Sequence, residues 1–148
     1  MTTLEKDIKQ HADWIVKAFA ADKLKLNYTI ESFKTLDNFF EQHAENGAAN
    51  PNGRLAANTG SILFSIGAYM GESFIQTLPG TVWLIDEKDT QAEINATLKL
   101  PNGELIQPMQ RAIKRFQNGA EDSIYAYGAV ILQSPGLVVA NKKWWKFW

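Results

Sequence analysis

Apolar residues recur every three to four positions through the first half of the chain, which is the spacing of one helix face. Two such stretches, Leu4 to Ala20 and Ile30 to Ala44, carry an apolar stripe beneath a charged surface. A third and more apolar stretch, Leu55 to Leu78, predicts a central helix. Between the second and third stretches, Asn46 to Gly53 predicts an exposed loop, because it collects Asn, Gly, Ala and Pro without periodicity.

The predicted central helix contains three glycines, Gly60, Gly67 and Gly71. Each of them costs about 1 kcal/mol relative to alanine in a helix interior. We therefore expect a close approach of neighbouring segments to compensate for the cost.

The pattern then changes to the period of two that is typical of strands. After Pro79-Gly80, the segment Thr81 to Ile85 predicts a first strand, and the alternation from Ile94 to Leu100 predicts a second. The turn Pro101-Asn102-Gly103 leads into a short apolar run at Leu105 and Ile106, which completes a three-stranded meander.

Two helices follow the predicted meander. Pro108 suits the first turn of a helix, and Asn118-Gly119 supplies a left-handed stop. Glu121 and Asp122 favour a new helix start that runs to about Leu132. The predicted fold class is therefore α+β, with three N-terminal helices, a small antiparallel three-stranded meander and two C-terminal helices in a single domain, residues 1–148.

Composition and charge narrow the possible functions. The chain has 45% hydrophobic and 21% charged residues, which is the composition of a globular domain. Its net charge of -1 provides no overall electrostatic attraction for the phosphates of nucleic acid. We therefore expect no nucleic-acid partner. The charges within Leu4 to Ala20 exclude a secretion signal there, so we expect a cytoplasmic protein.

Few residues offer catalytic or metal-binding chemistry. The chain has no cysteine, and its two histidines, His11 and His43, lie in no metal-binding spacing. No GxSxG elbow is present, and Gly67 to Gly71 matches no phosphate-binding loop. We therefore expect no metal, no cofactor and no catalytic residue.

Glu72 is the most isolated charge of the chain, since no other charged residue lies between Arg54 and Asp86. A carboxylate on a largely buried helix must find a partner or have a raised pKa, and a perturbed acid is a candidate for catalysis or ligand binding. The alternative is a structural ion pair. The basic cluster Arg111, Lys114 and Arg115 supplies the expected partners.

The segment 141–148 is a basic and aromatic tail, with three lysines and four aromatic residues in Lys142 to Trp148. Three interpretations stay open for it. Its aromatic residues could lie at a membrane surface beside lysines that face anionic lipid. They could anchor a protein partner or a second subunit, or fold back and cover the core.

Three segments carry a resemblance to a known family. They are Ser32 to Asp37, Ile66 to Glu72 with Trp83, and the run Lys114-Arg115-Phe116-Gln117-Asn118-Gly119-Ala120-Glu121-Asp122-Ser123. Over about residues 30 to 127 the chain resembles a family of small uncharacterised bacterial proteins with no established activity. The resemblance implies a bacterial source. Small domains of this size and class often serve as immunity proteins, which neutralise a toxin by covering its active site.

These observations favour a non-catalytic module that binds another protein, with toxin neutralisation as its narrowest form. The candidate ligand-binding or partner-binding residues are Glu72, Trp83, Arg111, Lys114, Arg115, Trp144, Trp145 and Trp148. The alternative function is a small enzyme or ligand-binding domain with a pocket around Glu72, Trp83 and Arg111, between the third helix and the sheet.

Overall fold

A computed structural model describes residues 1–140. In this range the helices are α1 Thr3–Ala21, α2 Phe33–His43, α3 Thr59–Thr77, α4 Ala92–Asn95, α5 Pro108–Asn118 and α6 Ile124–Leu132. Single 3-10 turns, Ala56–Asn58 and Gly119–Asp122, precede α3 and α6. The strands are β1 Ala44–Glu45, β2 Ala48–Ala49, β3 Val82–Leu84, β4 Thr97–Lys99 and β5 Leu105–Ile106.

The strands form two small antiparallel sheets. β1 and β2 make a hairpin, and the other three strands lie in the order β3-β4-β5. The α+β class and the three-stranded meander are therefore confirmed. None of the helices among residues 1–140 is long and apolar enough to cross a membrane.

The buried residues form one cluster around α3, which packs against α1 on one side and α5 on another. Most of α3 is inaccessible to solvent, including Ile66, Tyr69 and Phe74. α2 packs against α6. The central position predicted for the third helix is confirmed.

Two of the three glycines in α3 permit close contacts. A Cβ at Gly67 would lie 2.6 Å from the Cα of Met109 in α5, and a Cβ at Gly71 would overlap the six-membered ring of Trp83. Gly60 has nothing within 4 Å of that position. The expected close packing is therefore correct for Gly67 and Gly71 and wrong for Gly60.

Two details of the predicted fold are wrong. The loop predicted for Asn46 to Gly53 contains the turn and second strand of the β1–β2 hairpin, and both turn residues, Asn46 and Gly47, have positive φ. The pair Asn-Gly is a strong hairpin signal for that reason. The first two residues of the predicted strand Ile94 to Leu100 form the end of α4, where the carboxylate of Asp89 accepts hydrogen bonds from the Gln91 N–H and the Asn95 side-chain amide.

Three helix starts also differ from the prediction. α2 begins at Phe33 rather than at Ile30. α3 begins at Thr59 rather than near Leu55, after the first of the 3-10 turns. α6 begins after Ser123, whose hydroxyl accepts a hydrogen bond from the Ala126 N–H and caps the helix. The acidic pair Glu121 and Asp122 lies in the 3-10 turn before it.

Candidate functional site

Glu72 lies half-buried on α3, and its partner is a neutral side chain. The indole Nε1 of Trp83 donates a hydrogen bond of 2.9 Å to Glu72 Oε2. Trp83 is the one inward-facing residue of β3, and its ring lies against the bare backbone of Gly71. The strand and the helix therefore hold the carboxylate and the indole together.

The electrostatic environment of Glu72 comes from α1. Burial raises the pKa of Glu72, and the hydrogen bond from Trp83 and the positive charge of Lys9 offset part of this effect. The negative charges of Asp13 and Glu5 raise the pKa further. The polar side of α3 that carries Glu72 thus faces α1, as Ser65 does about two turns earlier. The Ser65 hydroxyl contacts His11 Nδ1 at 2.9 Å.

Tyr28 lies beside this group with an unusual backbone. Its φ of 62° is in the left-handed region, which a bulky residue rarely adopts. The Tyr28 hydroxyl donates to Asp13 Oδ1 at 2.6 Å, and its ring packs on Tyr69 with 5.0 Å between centroids. Burial and the Asp13 carboxylate together raise the pKa of Tyr28 well above its usual value.

Tyr69 connects Tyr28 to the start of α2. Its buried hydroxyl accepts a hydrogen bond of 2.9 Å from the Tyr28 N–H and makes a short hydrogen bond with the Ser32 hydroxyl. Burial raises the pKa of Tyr69, and these hydrogen bonds offset part of the rise. The unusual backbone at Tyr28 is therefore fixed from both its main chain and its ring.

A groove of about 380 Å³, which we call the Tyr28 groove, opens beside this aromatic pair. Its walls include Tyr28, Ile30, Glu31, Gln76, Leu132 and Val139. Gln76 follows Glu72 by one turn of α3, so the groove lies next to the half-buried carboxylate. The sequence did not indicate this groove.

The basic cluster of α5 lies elsewhere, and the expected ion pairs with Glu72 are wrong. Arg111 binds Asp122 Oδ1 at 2.9 Å and stacks over the ring of Tyr127 at 4.3 Å. Arg115 is 3% exposed and binds Asp37 and Glu41. Lys114 is exposed. α5 thus presents Arg111 toward α6 and Arg115 toward α2, and neither toward the polar side of α3.

Asp37 is the centre of a polar network that joins α2, α5 and α6. The sequence analysis did not single out this residue. Its Oδ1 accepts from Arg115 Nε and from the Ile124 N–H, each at 2.9 Å. Its Oδ2 accepts from the Ser123 hydroxyl at 2.8 Å and from the Tyr125 N–H at 2.9 Å. Asp37 therefore caps α6 from another helix, at the helix end that favours negative charge.

This network gives a structural role to the segments that carry the family resemblance. Asp37 ends the first of those segments, and Arg115 and Ser123, which bind it, belong to the last. Within the last segment, Asp122 also accepts a hydrogen bond of 2.7 Å from the Asn118 amide. The most distinctive polar residues of that run thus hold helices together.

The outer face of the β3–β4–β5 sheet carries exposed aliphatic residues. Val82 and Leu84 are 48% and 46% exposed, and Leu105 of β5 is 61% exposed. The register places Lys99 of β4 between Val82 and Leu105, and Thr97 opposite Leu84. Because alternate side chains of a strand point to one face, these residues share the side turned away from Trp83.

A cleft of about 690 Å³ begins where β3 ends, between the first turns of α1 and the β3–β4 connection. Leu4, Ile85 and Ile94 supply its apolar lining. Its carboxylates are Asp7, Glu87, Asp89 and Glu93. The amide of Asn95 and the Gln91 N–H lower the pKa of Asp89. The cleft therefore combines aliphatic walls with negative charge.

The remaining candidate residues, Trp144, Trp145 and Trp148, lie outside the described residues. The described chain ends at Ala140, whose N–H donates a hydrogen bond of 2.6 Å to the Thr77 carbonyl at the end of α3. Within residues 1–140 no three His, Asp or Glu side chains are grouped so that they could hold a metal ion.

Comparison of the chain with family models, with curated proteins and with solved structures finds no match in any of the three. The resemblance to a family of small bacterial proteins therefore stays a prediction. The function has to be argued from the site geometry.

Proposed function

We propose that this protein is a protein-binding module that presents the outer face of its three-stranded sheet to a partner protein. The observation that carries the proposal is the placement of Val82, Leu84 and Leu105 on one face, each about half exposed or more. Single exposed aliphatic residues are ordinary on a protein surface. Clustered ones are typical of interaction sites, because contact with a partner removes their apolar area from water.

The neighbouring cleft indicates the chemistry of the partner. Ile85, which directly follows Leu84, lines the cleft, so the cleft begins at the end of β3 beside the sheet. The carboxylates of the cleft complement lysine or arginine on the partner, and its aliphatic walls complement their apolar stems. A partner surface with basic residues beside aliphatic ones fits both parts.

Arg111 and Arg115 of α5 stabilise the fold and are not part of the proposed binding surface. Arg111 and Arg115 have acidic partners within the fold. The two carboxylate oxygens of Asp37 accept four hydrogen bonds, which connect α2 to α5 and α6. A narrower form of the same proposal is that the partner is a toxin whose active site this surface covers. Identification of the captured partner tests whether it is a toxin.

The experiment is affinity capture from host lysate with three matched baits: the wild type, the double variant Leu84→Ser and Leu105→Ser, and Val130→Ser. Val130 on α6 is 67% exposed and serves as the control for loss of an exposed aliphatic residue. A stoichiometric protein that the wild type and Val130→Ser retain and the double variant loses supports the proposal. Retention by the double variant, with circular dichroism unchanged for all baits, contradicts it.

A second candidate function is small-ligand binding beside Glu72, and the half-buried, pKa-raised carboxylate favours it. Glu72 and Trp83 are together as that hypothesis requires, but Arg111 is not part of the group. Native mass spectrometry of protein purified from its host tests it. A small molecule retained by the wild type and lost from Glu72→Gln would support ligand binding, and an unliganded wild type would contradict it.

A further inference from the structure

A small pocket, which we call the Trp14 pocket, opens between α1, α2 and the start of α3. Its volume is about 180 Å³. Its lining includes Phe19, Phe39 and Ile62, which are almost inaccessible to solvent, and Trp14, which is 47% exposed. The pocket therefore leads from the surface to the core. It shares no residue with the sheet face or with the acidic cleft, so the inference drawn from it does not depend on the sheet-face proposal.

The pocket results from a small residue between larger ones on α1. Trp14, Ala18 and Asp22 follow one another at intervals of four residues, so their side chains lie in one row along the helix and its end. The methyl group of Ala18 leaves a gap between the indole ring and the carboxylate. Ile15 and Phe19, which are also four residues apart, form a neighbouring row that belongs to the core.

The lining favours an aromatic occupant. Trp14, Phe19 and Phe39 supply three aromatic rings, and those of Phe19 and Phe39 have centroids 5.1 Å apart with an interplanar angle of 38°. Aromatic rings attract one another through edge-to-face and offset contacts in addition to the burial of their area. A ring in the pocket gains both terms, whereas an alkyl group of the same size gains only the burial.

The volume limits the occupant to one ring. A protein cavity of about 150 Å³ lined by Leu, Ile and Phe binds benzene. Pockets for drug-sized ligands begin at about 300 Å³. The Trp14 pocket, at about 180 Å³, therefore accepts a single six-membered ring with a small substituent.

The polar rim of the pocket determines which substituent fits. Arg54 Nη2 and Asp22 Oδ1 are 2.6 Å apart, and both side chains are partly exposed. Within residues 1–140 this is the one side-chain hydrogen bond that either residue makes, so Arg54 keeps further N–H donors and Asp22 a second acceptor oxygen. A neutral hydroxyl group can donate to Asp22 and accept from Arg54 at once. A carboxylate on the ligand would meet Asp22 with like charge.

We propose that the Trp14 pocket binds a small free phenol. The ring lies among Trp14, Phe19 and Phe39, and the hydroxyl group lies at the rim, where it donates to Asp22 and accepts from Arg54. The orientation follows from the lining, because the polar pair is at the surface and the aromatic side chains of α1 and α2 extend to the core.

The test is an NMR titration of the isotope-labelled, full-length protein with phenol, cyclohexanol, toluene and benzoate, which are similar in size. The amide signals of Ala18, Phe19 and Asn58 report on the pocket. We expect saturable shifts with phenol, and about five-fold weaker binding of each other probe, because each lacks the aromatic ring, the hydroxyl group or the neutral charge. The absence of saturable shifts with phenol, or equal or tighter binding of any other probe, overturns the proposal.

A pocket-filling variant tests the position of the site. Ala18→Leu puts a larger side chain into the gap between Trp14 and Asp22 and should abolish the saturable shifts. Ala20→Leu, at an exposed position of the same helix, is the matched control and should bind phenol as the wild type does. Unchanged binding by Ala18→Leu would mean that phenol binds elsewhere and would overturn the proposal.

A second variant keeps the test decisive if Ala18→Leu does not fold. Trp14→Leu changes a half-exposed side chain and keeps an apolar wall without its ring. It should weaken the binding of phenol about five-fold and leave that of cyclohexanol unchanged. An equal loss for both probes would contradict the aromatic contact.

N-acetyltyrosinamide separates a free phenol from a tyrosine side chain of a partner protein. Its backbone is attached to the ring opposite the hydroxyl group. With the hydroxyl group at the rim, that backbone would have to enter the closed end of the pocket, beside the buried rings of Phe19 and Phe39. We therefore expect no binding of N-acetyltyrosinamide. Binding as tight as that of phenol would mean that the hydroxyl group points inward and would overturn the proposal.

Discussion

Arg115 of α5 and Asp37 of α2 form an ion pair of 2.9 Å in which the arginine side chain is almost completely buried. Removal of one partner from a buried pair leaves an uncompensated charge and costs about 3–5 kcal/mol. We expect Asp37→Ala to lower the free energy of unfolding by that amount, since it also removes the cap of α6. Urea denaturation measures the change.

Glu41 provides the control for this prediction. Its carboxylate binds the same guanidinium at 2.8 Å, but its side chain is 61% exposed. Exposed ion pairs contribute less than about 1 kcal/mol. Glu41→Gln should therefore change stability little, and equal losses for Asp37→Ala and Glu41→Gln would contradict the role assigned to Asp37.

Gly67 should tolerate no side chain. A methyl group at Gly67 would lie 2.6 Å from the backbone of Met109, so α3 and α5 would have to separate. Overpacking of this kind costs about 1–3 kcal/mol. Thermal unfolding of Gly67→Ala should show a lower midpoint.

Gly60→Ala is the matched control, because that position is open. It should raise stability by up to about 1 kcal/mol through the better helix propensity of alanine. A melting temperature lowered equally in both variants would mean that glycine is needed in α3 for a reason other than contact.

Glu72 should make stability depend on pH. Its pKa is raised in the folded protein, so the folded state holds the proton more tightly than the unfolded chain does. The resulting stabilisation is complete below the ordinary glutamate pKa and is lost as pH rises through the raised folded pKa. Glu72→Gln stays neutral and should therefore gain stability relative to the wild type between about pH 4 and pH 7.

Urea denaturation of both proteins across that range measures the difference. Glutamine keeps an oxygen for the Trp83 N–H, so the comparison isolates the charge. Glu93→Gln, at an exposed position, is the control. A constant difference between wild type and Glu72→Gln at every pH would contradict the prediction.

The Tyr69 hydroxyl should contribute more to stability than the Tyr28 hydroxyl. Tyr69→Phe leaves the Tyr28 N–H without its buried partner, which costs about 1–3 kcal/mol, while the Ser32 hydroxyl keeps its hydrogen bond to the Thr29 carbonyl. Tyr28→Phe removes one hydrogen bond to an exposed Asp13 and should cost less than about 1 kcal/mol. Chemical denaturation of the two variants compares them, and the reverse order would contradict this assignment.

The elements that the sequence predicted well are those set by local pattern. α1, α2 and α5 follow from apolar spacing and from their end signals, Pro108 and Gly119 in the case of α5. α4 was mistaken for part of a strand, because its residues alternate in polarity while the Asp89 side chain bends the backbone into a helical turn. A side-chain hydrogen bond of that kind cannot be predicted from the spacing of apolar residues.

The isolation of Glu72 from other charges left two outcomes open, an ion pair with α5 or a raised pKa, and in the structure burial raises the pKa of Glu72. Its partner could not be predicted, because three cations on α5 were equally available in the sequence. The direction in which α5 points its side chains depends on how that helix packs on α3 and on the 3-10 turn that follows it. The pairing of Arg115 with Asp37, which are 78 residues apart in the chain, could not be predicted for the same reason.

By itself the sequence determined the α+β class, the central helix and the basic-aromatic character of segment 141–148. These depend on residue type and spacing, which act over a few neighbouring positions. Only the tertiary structure decided that Glu72 meets Trp83, that Asp37 caps α6, and that the Tyr28 groove opens where the described chain ends. Such contacts join residues far apart in the chain, and their geometry follows from the packing of whole elements.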